Sequence, residues 1–303
     1  MRAWILLAAL LPLAAQETSG RPARRQEMER RVVETLARFQ GTVCFFAKNL
    51  DTGESFGIRE NDRVRTASTI KLPVMAAVYA AVAEGRVRFT DELVLQKENT
   101  VSGSGVLTEF TPGVRLPLRD VMHLMIVVSD NTATNMVLDK VPGDYVNEQM
   151  EKLGLKETRS LRKVLGEAAS APRGISRAGQ VPENKRYGLG VSTSREMVML
   201  LEKLERDEVV SPKASKEMIE VLKRQQYKDG IGRLRQLPAA SKSGALDHLR
   251  SDVGIVYSQQ GRIAIAITCD DIPKIDWSHE NPGEVLMADL TQILIDGLGK
   301  QAP

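Results

Sequence analysis

Strand-like sequence sits at both ends of this chain and helical sequence fills its middle, an order that restricts the fold more than any single motif. Thr42 to Leu50 is a β-rich run, Asp51-Thr52-Gly53 a turn, and Glu54 to Ile58 the next strand. Val253 to Ser258 and Arg262 to Thr268 repeat that pattern about the Gln260-Gly261 turn. Between these ends, Ala67 to Ala83 (closed by Gly85), Leu118 to Val128, Thr132 to Val141 and Tyr145 to Leu153 carry helical signals, as do Thr193 to Arg206 and Lys213 to Arg224. Two helices flank the set. Arg25 to Gln40 has Met28, Val32, Leu36 and Phe39 on one face and Gly41 as a stop; the other runs from about Glu284 to Leu298. The pattern predicts an α/β unit from 25–66 and 212–300, its sheet built from both ends, with an all-α unit over 67–211 inserted. A length of 303 residues suits two domains, but here the boundary is crossed twice. Within the insertion, Lys156 to Leu189 shows little periodicity, so 156–192 reads as a long irregular loop of a kind that is often functional.

Composition excludes more than it assigns. With 42 basic and 39 acidic residues the net charge is +3, so neither nucleic acid nor an anionic membrane is an expected partner. Two cysteines and three scattered histidines make no zinc ribbon or clustered metal site, and no cofactor is expected. In Met1 to Ala15, Arg2 precedes an apolar stretch, Ala3 to Leu13, and two small residues, Ala14-Ala15. That is the form of a signal peptide cut before Gln16, and it predicts a secreted or periplasmic monomer free of the membrane after cleavage. An uncleaved anchor or a buried first helix is the alternative, the stretch being short of the ~20 residues that span a bilayer. In an oxidising compartment Cys44 and Cys269 could pair. Both lie in apolar strand-like runs, so two buried free thiols fit as well.

Three short motifs carry chemistry. Ser68-Thr69-Ile70-Lys71 opens the Ala-rich helix, where residues three apart share a face, so the Lys71 amine can reach the Ser68 hydroxyl. A buried lysine with a lowered pKa activates a serine without any histidine. Backbone N–H groups at the helix start suit an oxyanion. Ser160 to Lys163 repeats the spacing in a charged, irregular segment with no apolar helix behind it, and is set aside. Ser129-Asp130-Asn131 breaks the apolar run Leu124 to Val128, as a helix cap or as site groups. Lys242-Ser243-Gly244 precedes an expected strand, where a small residue lets a substrate backbone come close.

SxxK, SDN and K[ST]G in that order resemble the class A serine β-lactamases of the β-lactamase and penicillin-binding protein superfamily, over nearly the whole mature chain. The flanking runs LMIVVSDNTATN and KSGALDHLRSDVGIVY share the likeness. The resemblance implies the β-lactamase/transpeptidase-like fold, with a five-stranded antiparallel sheet flanked by helices. It also implies a β-lactam substrate acylated on Ser68, as in antibiotic resistance. Lys71 would then be general base or relay, and Ser129 would pass a proton to the leaving nitrogen. Asn131 would hold the acylamide side chain and Lys71. Lys242, Ser243 and Gly244 would form the carboxylate end, and the N–H groups of Ser68 and Ala245 the oxyanion hole. Arg250 is either a further carboxylate partner or a solvated surface residue.

One element departs from the family. The glutamate that activates the deacylating water falls, on alignment at Thr158-Arg159, at Val164. Glu167 follows three residues later without the usual asparagine, and is either that base in a rearranged loop or a structural residue. The expected function is therefore a serine β-lactamase, with a D-Ala-D-Ala peptidase, an esterase or a slowly deacylating penicillin-binding hydrolase as the alternative. A non-catalytic sensor would need a signalling membrane segment, and none is expected after residue 15. Ser102-Gly103-Ser104-Gly105 either borders the site or is a surface turn.

Overall fold

The computed structural model describes residues 17–165, 173–234 and 236–300. Helix α1 (Glu17–Leu36) leads into the hairpin of β1 (Thr42–Asn49) and β2 (Ser55–Ile58). A short strand β3 (Val64–Arg65) and a 3-10 turn, Ala67–Ile70, enter α2 (Lys71–Ala83). The insertion continues through β4 (Glu92–Val94), β5 (Arg115–Pro117), α3 (Leu118–Val127), α4 (Asn131–Lys140) and α5 (Gly143–Lys152). The long loop carries β6 (Arg159–Ser160), the single turn α6 (Arg177–Gln180) and a 3-10 segment, Pro182–Tyr187. Then follow β7 (Gly190–Ser192), α7 (Ser194–Glu205) and α8 (Pro212–Lys223). The chain returns through β8 (Ala239–Leu246), β9 (Leu249–Ser258) and β10 (Gly261–Asp270) to α9 (Pro282–Leu298).

The two chain ends pair as the sequence order implies. β1 lies antiparallel to β10, with Thr42 opposite Asp270 and Asn49 opposite Ile263, and the five-stranded sheet runs β2-β1-β10-β9-β8. Alternation sends Phe45, Ala47, Ile263, Ile265 and Ile267 to one face, where they pack with Met28, Val32, Leu290 and Leu294 of α1 and α9. Phe46, Val253, Ile255, Ala264 and Ala266 point the other way, into a core shared with α2, α3, α7 and α8. Helix α2 is buried continuously from Lys71 to Ala81. A helix apolar all round belongs at the centre of a domain, and this one carries the first motif into it.

Two expectations change here, and one open pair of alternatives is settled. The triplet Lys242-Ser243-Gly244 lies inside β8, not before a strand. Ala, Ser, Lys and Gly have weak strand preference, so pairing with β9 decides the conformation. Helix α1 ends at Leu36, after which the bonding tightens to Arg38 N–Thr35 O, although Phe39 still packs on the same apolar layer. Cys44 and Cys269 are buried free thiols. Cys44 sits opposite Thr268, and Cys269 is its next residue, so the two side chains leave opposite faces of the sheet. The expected signal peptide, residues 1–15, lies outside the described residues.

Candidate active site

The first motif sits at a strained turn. Ala67 has φ of +46° and Ser129 of +52°, a backbone region that costs a non-glycine residue of the order of 1 kcal/mol or more. The turn at Ser68 is held by Thr69, whose N–H and hydroxyl both donate to Thr66 O, at 3.1 and 2.8 Å. Lys71 opens α2 and is wholly buried.

One hydrogen-bonded chain joins the second and third motifs to this lysine. Lys71 Nζ lies 2.6 Å from Ser129 O, 2.9 Å from Asn131 Oδ1 and 3.2 Å from Ser129 Oγ. Lys242 Nζ, also wholly buried, donates to Ser129 Oγ at 3.0 Å and to Ser243 O at 2.7 Å. Burial, then the nearby Lys242 charge, hold the Lys71 amine well below the ordinary lysine range, with Asp130 opposing. Burial lowers Lys242 to about 7, against the pull of Asp252. A neutral amine has two N–H groups and one lone pair. With Ser129 O and Asn131 Oδ1 taking the N–H groups of Lys71, its lone pair is left for a hydroxyl proton. Among the described residues no Lys71 hydrogen bond goes to Ser68, whose hydroxyl has no partner there. The expected direct Ser68–Lys71 bond is thus replaced by one to Ser129.

Asp130 explains why the helical run breaks. Its Oδ1 caps α4 by accepting from Ala133 N at 2.7 Å, and its Oδ2 accepts from Val106 N and Leu107 N at 2.7 and 2.8 Å. Ser102 to Gly105 therefore does border the site. Ser102 O accepts from Asn131 Nδ2 at 3.1 Å, and Ser104 O accepts from Asn131 N at 3.0 Å. A Cβ on Gly105 would lie 2.3 Å from the Asp130 carboxylate, and its φ of +110° admits glycine alone at little cost.

Edge strand β8 brings the third motif against the first. A Cβ on Gly244 would stand 2.8 Å from Ser68 N and 2.9 Å from Thr66 O, so only glycine lets the strand come this close. Ser243 and Ala245 are half-buried beside it. Opposite Ser243 on β9 lies Asp252, 1% exposed, whose Oδ2 accepts from Ile231 N at 3.0 Å and whose Oδ1 has no hydrogen bond. Burial, then the Glu284 charge, push Asp252 up to about 7, and Glu284 is raised to about 7 by its own burial. The solvated-surface reading of Arg250 does not hold. It is 3% exposed, donates to Leu246 O and Leu249 O at 2.7 and 2.8 Å, pairs with Glu284 and stacks on Trp277. It faces α9 and locks the β8–β9 hairpin from behind.

The loop is anchored at Val164. Asn135 Oδ1 accepts from Val164 N at 2.9 Å, and Asn135 Nδ2 donates to Val164 O at 3.1 Å. Sequence reasoning quoted Asn135 only at the end of the run flanking the second motif and gave it no role. A buried asparagine inside a helix was the available signal, because it needs a partner. Asp252 was passed over in the same way. Glu167 lies outside the described residues.

Residues 26–298 match the family model described as the beta-lactamase enzyme family. The beta-lactamase regulatory protein BlaB of Streptomyces cacaoi is 27% identical over 85% of this chain and 93% of its own. A β-lactamase structure from Sphaerobacter thermophilus superposes with a TM-score of 0.77 at 29% identity, over 92% of this chain and 99% of that one. The structure of PBP-A follows the same fold at a TM-score of 0.74 and 24% identity, over 88% and 94% of the two chains.

Proposed function

The chain belongs to the beta-lactamase enzyme family, a hydrolase of the serine β-lactamase type, and from that premise we propose that it is an exported acyl-enzyme former with slow deacylation. Ser68 Oγ attacks the carbonyl of a β-lactam or a D-Ala-D-Ala-like ester or amide, forming a C–O bond and breaking the bond to the leaving atom. The Ser68 proton passes through Lys71 and Ser129 to that atom. Lys242 and Ser243 take the carboxylate of the leaving half, and Asn131 the acyl side chain. The N–H groups of Ser68 and Ala245 hold the oxyanion. The observation that carries this reading is the unbroken contact of Lys71, Ser129 Oγ and Lys242 beside the Ser68 turn.

Deacylation needs a separate base, and valine cannot be one. On the alignment at Thr158-Arg159 Val164 stands where the family's glutamate belongs, and Asn135 bonds both its backbone atoms. This favours a penicillin-binding hydrolase of peptidase or esterase character over an efficient resistance enzyme. Intact mass after mixing with a penicillin is the test. An adduct on Ser68 that persists for minutes or longer is expected. No adduct and no turnover would sink the proposal, and clearance within seconds would return the protein to the efficient β-lactamases.

A further inference from the structure

A cleft of about 820 Å³ opens beside β8, away from the acyl-binding parts of the site. Ala239 and Ser241 form one wall, the segment from Gln225 to Asp229 another, and His279 closes an end. Ser241 precedes Ser243 by two residues on one strand, so their side chains share a face about 7 Å apart. The opposite wall is tied to the second motif. Gln225 Nε2 donates to Ile126 O at 2.9 Å, and Gln226 N to Val127 O at 3.0 Å, just ahead of Val128-Ser129. The cleft thus lies beside the strand that carries Lys242 and against the segment bonded just ahead of Ser129, although neither residue lines it.

On the proposed reaction, those two residues mark the leaving half: Ser129 protonates its leaving atom and Lys242 takes its carboxylate. Whatever else that half carries continues into this space. The cations there are not equivalent. Lys223 is paired with Glu220 and lies over the Tyr257 ring, and His279 faces Asp229 at 2.8 Å. Lys228 is exposed, lies along Gly232, and has no ion pair or hydrogen bond among the described residues. Tyr227 beside it is 41% exposed. We propose that this cleft is a subsite for the leaving half of the substrate, taking a side arm with a second carboxylate, which Lys228 and the Tyr227 hydroxyl receive. The inference rests on the acyl-enzyme reading above. Attack by Ser68 expels the leaving half with its proton from Ser129, and the arm departs through the cleft as part of a free hydroxy acid or amine.

Two linear depsipeptides with one acyl half separate the alternatives. In both, the leaving hydroxy acid keeps its α-carboxylate; in one, its side chain is extended by a carboxylate-bearing arm. The whole protein should acylate with the extended ester at a kcat/KM at least about fivefold higher. Lys228→Glu should abolish that preference and Tyr227→Phe should reduce it, with short-ester and penicillin acylation unchanged within about twofold. Equal kcat/KM for the two esters, or a preference that survives Lys228→Glu, would overturn the subsite alone. The absence of a Ser68 adduct from penicillin and from both esters would overturn the acyl-enzyme reading and the subsite with it.

Discussion

The two walls of the site are built to different standards. On the β8 side the Ser129 hydroxyl, the Asp130 carboxylate, the Asn131 amide and both lysine heads are fixed by hydrogen bonds, and the two lysines are wholly buried. On the loop side, Asn135 fixes the backbone at Val164, but the side chain presented there is apolar. At Val164 anchoring and chemistry are separated: the brace holds the backbone, and the side chain it carries cannot act as a base. On the proposed reaction, the contrast puts the bond-forming and bond-releasing halves on different structural elements. Either can be changed without rebuilding the other.

The sharpest way to break this contrast is to restore the carboxylate. Val164→Glu should shorten the lifetime of the Ser68 adduct by about 10²-fold or more, the usual worth of a positioned general base. Stopped-flow decay of the adduct, with the acylation rate unchanged, would check it. The reverse test spoils the tight wall. Gly244→Ala puts a Cβ within 2.8 Å of a backbone nitrogen, so the strand must retreat, and about 10²-fold in acylation rate is expected to be lost. Adduct lifetime should barely change. The smallest effect concerns the carboxylates behind β8. Burial lifts Asp252 and Glu284 to about 7, above the unfolded value of about 4. The native state then binds protons that the unfolded chain releases. The stabilising share is whole below about pH 4 and is lost as pH rises toward 7. Asp252→Asn should therefore gain about 2–4 °C in Tm relative to the parent between pH 5 and pH 8, as read by thermal melts.

The sequence made the chemistry easier to see than the edge strand that presents it. Ser68, Lys71, Ser129 and Asn131 sit on or beside strongly apolar helices, where polar residues stand out and three-residue spacing has a geometric meaning. β8 is different: Ala239 to Gly244 has no apolar alternation, and only pairing with β9 and the approach to Ser68 make it a strand. Arg250 misled for a related reason. A charged residue in a polar hairpin reads as surface, and nothing local reveals that α9 supplies Glu284 or that Trp277 covers the guanidinium. Such partners come from distant sequence, which no window contains. The loop lay between these cases. Alignment on Thr158-Arg159 pointed to Val164, and only the structure adds that Asn135 holds its backbone.

The pairing of β1 with β10 has a consequence for how this protein is made. Gly244 and the strand behind it must close on the Ser68 turn before any of the lysines is desolvated. During synthesis Ser68, the proposed nucleophile, emerges long before Lys242 and Gly244 and is without them until the last strands arrive. On the proposed mechanism a half-made chain is therefore not open to chance acylation at Ser68, and a product cut short ahead of β8 lacks the wall the reaction needs.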